Sequence, residues 1–130
     1  MCHMETVEFL ILKNLLHNEE YVRKVIPFIK GDYFEDRNQK IVFEEIIKFV
    51  QEYNQPATKE ILCIEAEKRQ DITDDSFKEI TNLISNLDDQ PSEFDWLVNT
   101  TEKWCRDRAI YLALMESIHI ADGKDEQKNR

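Results

Sequence analysis

The run RNQKIVFEEIIKFVQEY, Arg37–Tyr53, decides how this chain folds. Val42, Ile46, Phe49, Val50 and Tyr53 recur at the three- and four-residue steps that align side chains along an α-helix. Phe43 and Ile47 widen the apolar face. Asp36 and Gln39 have the spacing of a capping box, so the helix is expected to begin at Arg37. Asn54-Gln55-Pro56 is expected to end it, because proline cannot continue the ladder.

Working outward, the same grammar repeats. Upstream, Glu5 to His17 reads as a helix apolar on most sides, fit for a core or an interface. Asn18 is placed to cap a short second helix, which Pro27 bends or ends. Gly31 is read as permitting a left-handed turn before Asp32-Tyr33-Phe34. Downstream, Thr58 caps a fourth helix reaching about Lys68. Ser76 with Glu79, and Ser92 with Asp95, are read as the capping boxes of a fifth and a last helix. Asp88-Asp89-Gln90-Pro91 separates the two. After Ser92 no breaker occurs before Gly123, which allows a helix of about 30 residues, roughly 45 Å long at 1.5 Å per residue.

The fold expected is all-α: a compact bundle of five or six helices, the last of them long and protruding, with the globular part over about residues 5–91 and the long C-terminal helix over about 92–122. Residues 1–122 form one domain, and 123–130 a polar tail that reads as a boundary within a longer chain. With 130 residues, one real core is possible without staples. Two glycines and three prolines are too few for the turns of an all-β domain. Leu10, Phe34, Phe43, Ile46, Val50, Ile80, Ile84 and Trp104 are the expected core. Along the long helix, Leu97, Trp104, Tyr111, Met115 and Ile118 share one side. The outer part of so long a helix is expected to pack on something outside the bundle.

The chemistry is mostly defined by what is missing. A phosphate loop needs several glycines and a Lys followed by Ser or Thr, and neither Gly31 nor Gly123 has that setting. His3, His17 and His119 are scattered, and Cys2, Cys63 and Cys105 match no zinc or redox spacing. Free, reduced thiols fit a cytoplasmic chain. Glu44-Glu45, like the other acidic doublets, is expected to be solvated, since neighbours on a helix point about 100° apart. A formal charge of −10 disfavours direct nucleic-acid binding, which depends on Lys and Arg replacing counterions. It favours a basic protein partner. No membrane span is expected.

Three stretches carry a family resemblance: Val7–Leu16 (VEFLILKNLL); Pro27–Phe34 (PFIKGDYF) with Ile41–Ile46 (IVFEEI); and Trp96–Ile110 (WLVNTTEKWCRDRAI). In order and spacing the chain resembles the N-terminal domain of DnaB-family hexameric replicative DNA helicases, most of all those of T-even-type phages. The resemblance implies a non-catalytic collar domain, carried by a parent that is an ATP-dependent 5′–3′ helicase. It implies self-association, as dimer and hexamer in the parent, and binding of primase and helicase loader. No cofactor is expected in this part of the protein; ATP and magnesium belong to the motor domain. The long helix matches the first arm of a helical hairpin that pairs with its neighbour. Trp104, Arg108, Tyr111, Leu112, Met115 and Ile118 are the expected interface. The alternative is a free-standing acidic helical adaptor or inhibitor, a DNA mimic that binds a basic protein.

Overall fold

Side-chain caps set most of the boundaries. In a computed structural model, which describes residues 6–90 and 92–128 with side chains as far as Ile120, Thr6 Oγ1 accepts the Phe9 N–H at 3.1 Å and opens α1 (Val7–His17). Asn18 serves two helices. Its own N–H closes α1 on the Asn14 carbonyl, and its side chain accepts the Tyr21 N–H to open α2 (Glu19–Val25). One residue thus turns the chain between two packed helices. A 3-10 turn (Gly31–Tyr33) leads to α3 (Arg37–Tyr53), whose first turn Asp36 caps through the Asn38 and Gln39 N–H groups. Thr58 caps α4 (Lys59–Glu67), and α5 (Asp74–Ser85) and α6 (Phe94–Lys128) follow. Among the described residues there is no strand.

α1 and α3 pack together at the centre. α4 and α5 lie on α3, whereas α2 and α6 lie on α1, and the 3-10 turn bridges α3 and α6. Ile11, Leu12, Leu15, Tyr21, Val25, Ile41, Ile46, Leu62, Ile80, Ile84, Leu87 and Leu97 are almost wholly buried. Each contributes about 1.5–3 kcal/mol of transfer free energy, which is why amphipathic segments of modest propensity stay helical here.

Several expectations need correction. Gly31 is not left-handed. A Cβ placed there meets Phe43 at 3.6 Å, an ordinary contact. Among the described residues the left-handed position is Asn54 (φ 53°), which closes α3. α5 starts earlier than Ser76: Thr73 accepts the Ser76 N–H at 3.1 Å, placing Asp74 and Asp75 at the electropositive first turn. Glu79 instead accepts from Asn38 at 2.7 Å. Glu93 rather than Ser92 holds the start of α6, accepting the Asp95 and Trp96 N–H groups. α6 also runs through Gly123 to Lys128; one glycine costs a helix only about 1 kcal/mol relative to alanine. α1 begins at Val7, not Glu5. Of the expected core, Phe34, Phe43, Ile46, Ile80 and Ile84 are buried, whereas Leu10, Val50 and Trp104 are half-buried and pack against it from the side. Cys2, His3 and Pro91 lie outside the described residues, as do the last two residues of the expected tail.

Candidate interaction surface on the last helix

The connector that leads into α6 is tied to α1. Lys13, itself buried, pairs with Asp88 at 3.2 Å. The Asn14 amide donates to Ser92 Oγ at 3.2 Å. His17 Nε2 donates to the Leu87 carbonyl at 2.9 Å. From this base α6 climbs the bundle, burying Leu97, Val98, Thr101 and Cys105. The Tyr21 hydroxyl and Thr101 Oγ1 are 2.6 Å apart in the core, and burial holds the phenol well above its ordinary range. Burial, aided by the Glu102 charge, pushes the Cys105 thiol up to about 12, which keeps it protonated and unreactive.

The climb ends at a clamp. Trp104 lies against Tyr33 and Phe34 with ring centroids 6.0 and 5.0 Å away, and its indole N–H donates to Glu8 at 3.2 Å. Arg108 Nε donates to the Tyr33 carbonyl at 2.6 Å, and an Nη reaches Glu35 at 3.3 Å. Its guanidinium stands 4.9 Å from the centre of the Tyr111 ring. Trp104 and Arg108, both expected at an interface, therefore hold this chain together.

Beyond the clamp the described part of the same helix has no buried residue. Tyr111 and Met115, which continue the row of Leu97 and Trp104, are exposed, and so is Ile118; Leu112 is half-buried. Ile110 and Leu114 are exposed as well. At 100° per residue these two widen the stripe to about 140° of the helix, on the side turned from the bundle. They were absent from the expected interface. Their i, i+4 spacing, with Ile118 another four residues on, was the available signal.

A second constellation was not legible in the sequence. Arg69, between α4 and α5, donates to Glu45 at 2.7 Å, to Glu44 at 3.3 Å and, through two nitrogens, to Asp71 at 2.9 and 2.7 Å. Glu44 and Glu45 thus converge on one partner, and Glu45 is buried rather than solvated. A planar guanidinium has enough donors to bridge two neighbours on a helix, which a 100° separation alone does not exclude. The Arg69 hydrogen bond is the main reason the Asp71 carboxyl sits at about 2, below its ordinary 3.8. Among the described residues no group of three or more His, Cys, Asp or Glu side chains is placed to hold a metal, and no helix is long and apolar enough to cross a membrane.

Comparison with known proteins gives this arrangement a family. The model of the DnaB-like helicase N terminal domain matches residues 1–94. The chain belongs to that family. A DnaB-like replicative helicase of Enterobacteria phage T4 is 32% identical to it over 124 residues, which is 93% of this chain and 26% of the relative. The chain therefore spans about a quarter of that curated relative's length. The DnaB match stops at Phe94, the first residue of α6. The family signature thus covers α1–α5, and the projecting helix lies outside it. The match to the phage helicase is too long to be confined to α1–α5 and runs into α6.

Proposed function

We propose that this DnaB-family domain is a non-catalytic assembly module of a ring-shaped replicative helicase. α6 pairs with the α6 of a second copy as part of a hexamer collar, and the domain receives primase and helicase loader during DNA replication. ATP hydrolysis and 5′–3′ movement belong to a motor domain of the longer protein, so no cofactor is needed in this part. Such a protein works in the cytoplasm, that of the host cell if a phage encodes it.

The observation that carries this reading is the apolar stripe of Ile110, Tyr111, Leu114, Met115 and Ile118, left uncovered by the bundle. Each side chain gains up to about 1.5–3 kcal/mol from full burial. About half that surface is already covered, so two stripes together return on the order of 8–15 kcal/mol, against an association cost of about 4–15 kcal/mol. Pairing of this chain alone is therefore expected to depend on concentration. A one-sided acidic mimic of DNA fits less well, since cations are interspersed with the acids in pairs such as Arg23–Glu19, Arg37–Asp71 and Lys40–Asp32.

Light scattering over a concentration series tests the assembly part. A rise from monomer toward dimer, abolished by Leu114→Glu with Met115→Glu, is expected; a monomer at every concentration removes it. Binding of the cognate primase and loader to the immobilised domain tests the partner part, and no binding of either defeats it.

A further inference from the structure

α3 and α4 enclose a groove that α6 pairing does not use. Two adjoining hollows of about 510 and 430 Å³ share Glu45, Lys48, Glu65 and Lys68 in their walls. Together the walls hold five carboxylates and three cationic side chains. The second hollow is also lined by Phe49, Tyr53 and Ile61. Tyr53 is 57% exposed. Ile64 of α4, 55% exposed, lines neither hollow but lies one helical turn from the wall residues Ile61 and Lys68, at the edge of the groove.

Glu45 makes this groove more than an acidic patch. Its Oε2 is bound by Arg69 at 2.7 Å, but its Oε1 is buried and receives no hydrogen bond from the described residues. Lys48 Nζ stands 4.0 Å away, beyond hydrogen-bond reach, and is also drawn to Glu65 at 3.6 Å. A buried carboxylate oxygen without a donor is costly to maintain, and a donor from outside would relieve it. The Lys48 side chain is 61% exposed, so solvent can take it up when a stronger donor enters.

We propose that the groove docks a basic segment of a partner protein. A cationic side chain reaches Glu45 Oε1 and Glu65, while an apolar neighbour covers Tyr53 and Ile64. The excess of carboxylates selects the charge, and the exposed tyrosine and isoleucine select the apolar anchor. A second copy of this chain is a poor occupant, because it brings a net charge of −10 to a groove that is already acidic. The inference rests on reading the domain as a partner-binding module, but not on α6 pairing.

The test is an NMR titration of the ¹⁵N-labelled chain with a synthetic helical peptide bearing a row of Arg beside a row of Leu. Two comparison peptides carry Glu for Arg, or Ser for Leu. Shift changes confined to residues of the groove are expected with the first peptide only. Glu45→Gln and Ile64→Asp should each weaken binding about tenfold. Lys48→Ala, at an exposed position that does not threaten folding, should tighten it about two- to fivefold by freeing both carboxylates. Shifts scattered over the acidic surface, equal binding of the Ser peptide, or indifference to Lys48→Ala and Ile64→Asp would overturn the proposal. So would groove shifts that appear on concentrating the chain alone, which would make a second copy the occupant. A chain that stays monomeric yet binds the peptide keeps this inference and loses the collar; the reverse result loses only the groove.

Discussion

Leu97 and Leu114 sit on one helix and share one chemistry, yet Leu97 is 1% exposed and Leu114 is 59% exposed. α6 lies on α1, α2 and the 3-10 turn, and among the described residues its buried positions end at Cys105. Burial is therefore set by what stands opposite a residue, and an apolar row that outlasts its support is a request for a partner. Regularity differs in origin too. Below Arg108 the helix is held by packing. Above it, a 20-residue extension to Lys128 is close to the length at which isolated helices are marginal in water.

The sharpest way to break this contrast is substitution on its two sides. Leu97→Ala should cost about 2–5 kcal/mol in urea unfolding at low protein concentration. Leu114→Ala should change the same measurement by no more than about 0.5 kcal/mol. Equal losses would mean that the upper part packs on its own bundle. Arg108→Ala should cost about 2 kcal/mol, the range of a hydrogen bond from a charged donor, and should speed amide exchange back to about Trp104. Unchanged exchange would show that the border lies elsewhere. Tyr21→Phe should cost about 1 kcal/mol, because Thr101 Oγ1 loses its buried partner; no change in the urea midpoint would make that contact dispensable.

The smallest effect concerns the other flank and comes from pH. Asp71 has a folded-state pKa of about 2 against its ordinary 3.8. A depressed carboxylate favours the fold above its unfolded pKa and loses that contribution as pH falls through the folded one. Thermal midpoints of the unmodified chain should therefore drop between 3.8 and about 2 by a step that Asp71→Asn lacks. The step should be small, since Asp71 is exposed and screened. A step retained in Asp71→Asn would assign it to another acid.

What the sequence disclosed follows from the range of the interactions. The bounds of α3 were legible because Asp36 and Asn54 act on groups within a few residues of themselves. Spacing alone does not place the start of α5, because Thr73 and Ser76 are both competent caps; Thr73 wins with two acids in its first turn, and Glu79 is engaged by Asn38. The long helix and its exposed row were visible from spacing, whereas the Arg108 clamp on Tyr33 and Glu35 required knowing that the connector returns to α6. The Arg69 junction was illegible for the same reason: its partners on α3 lie more than twenty residues away in sequence.

The 35-residue length of α6 has a mechanical consequence. From Arg108 to Lys128 the helix rises about 30 Å, so a 10° tilt at the clamp carries the tip by about 5 Å. One salt bridge, one amide and one imidazole on the connector before it, together with the clamp at Arg108, bear on the aim of that lever. Loosening any of them need not unfold the domain to misalign whatever rides on the tip. The contacts on α1 and at Arg108 thus bear on where a helix tip about 30 Å beyond the clamp points.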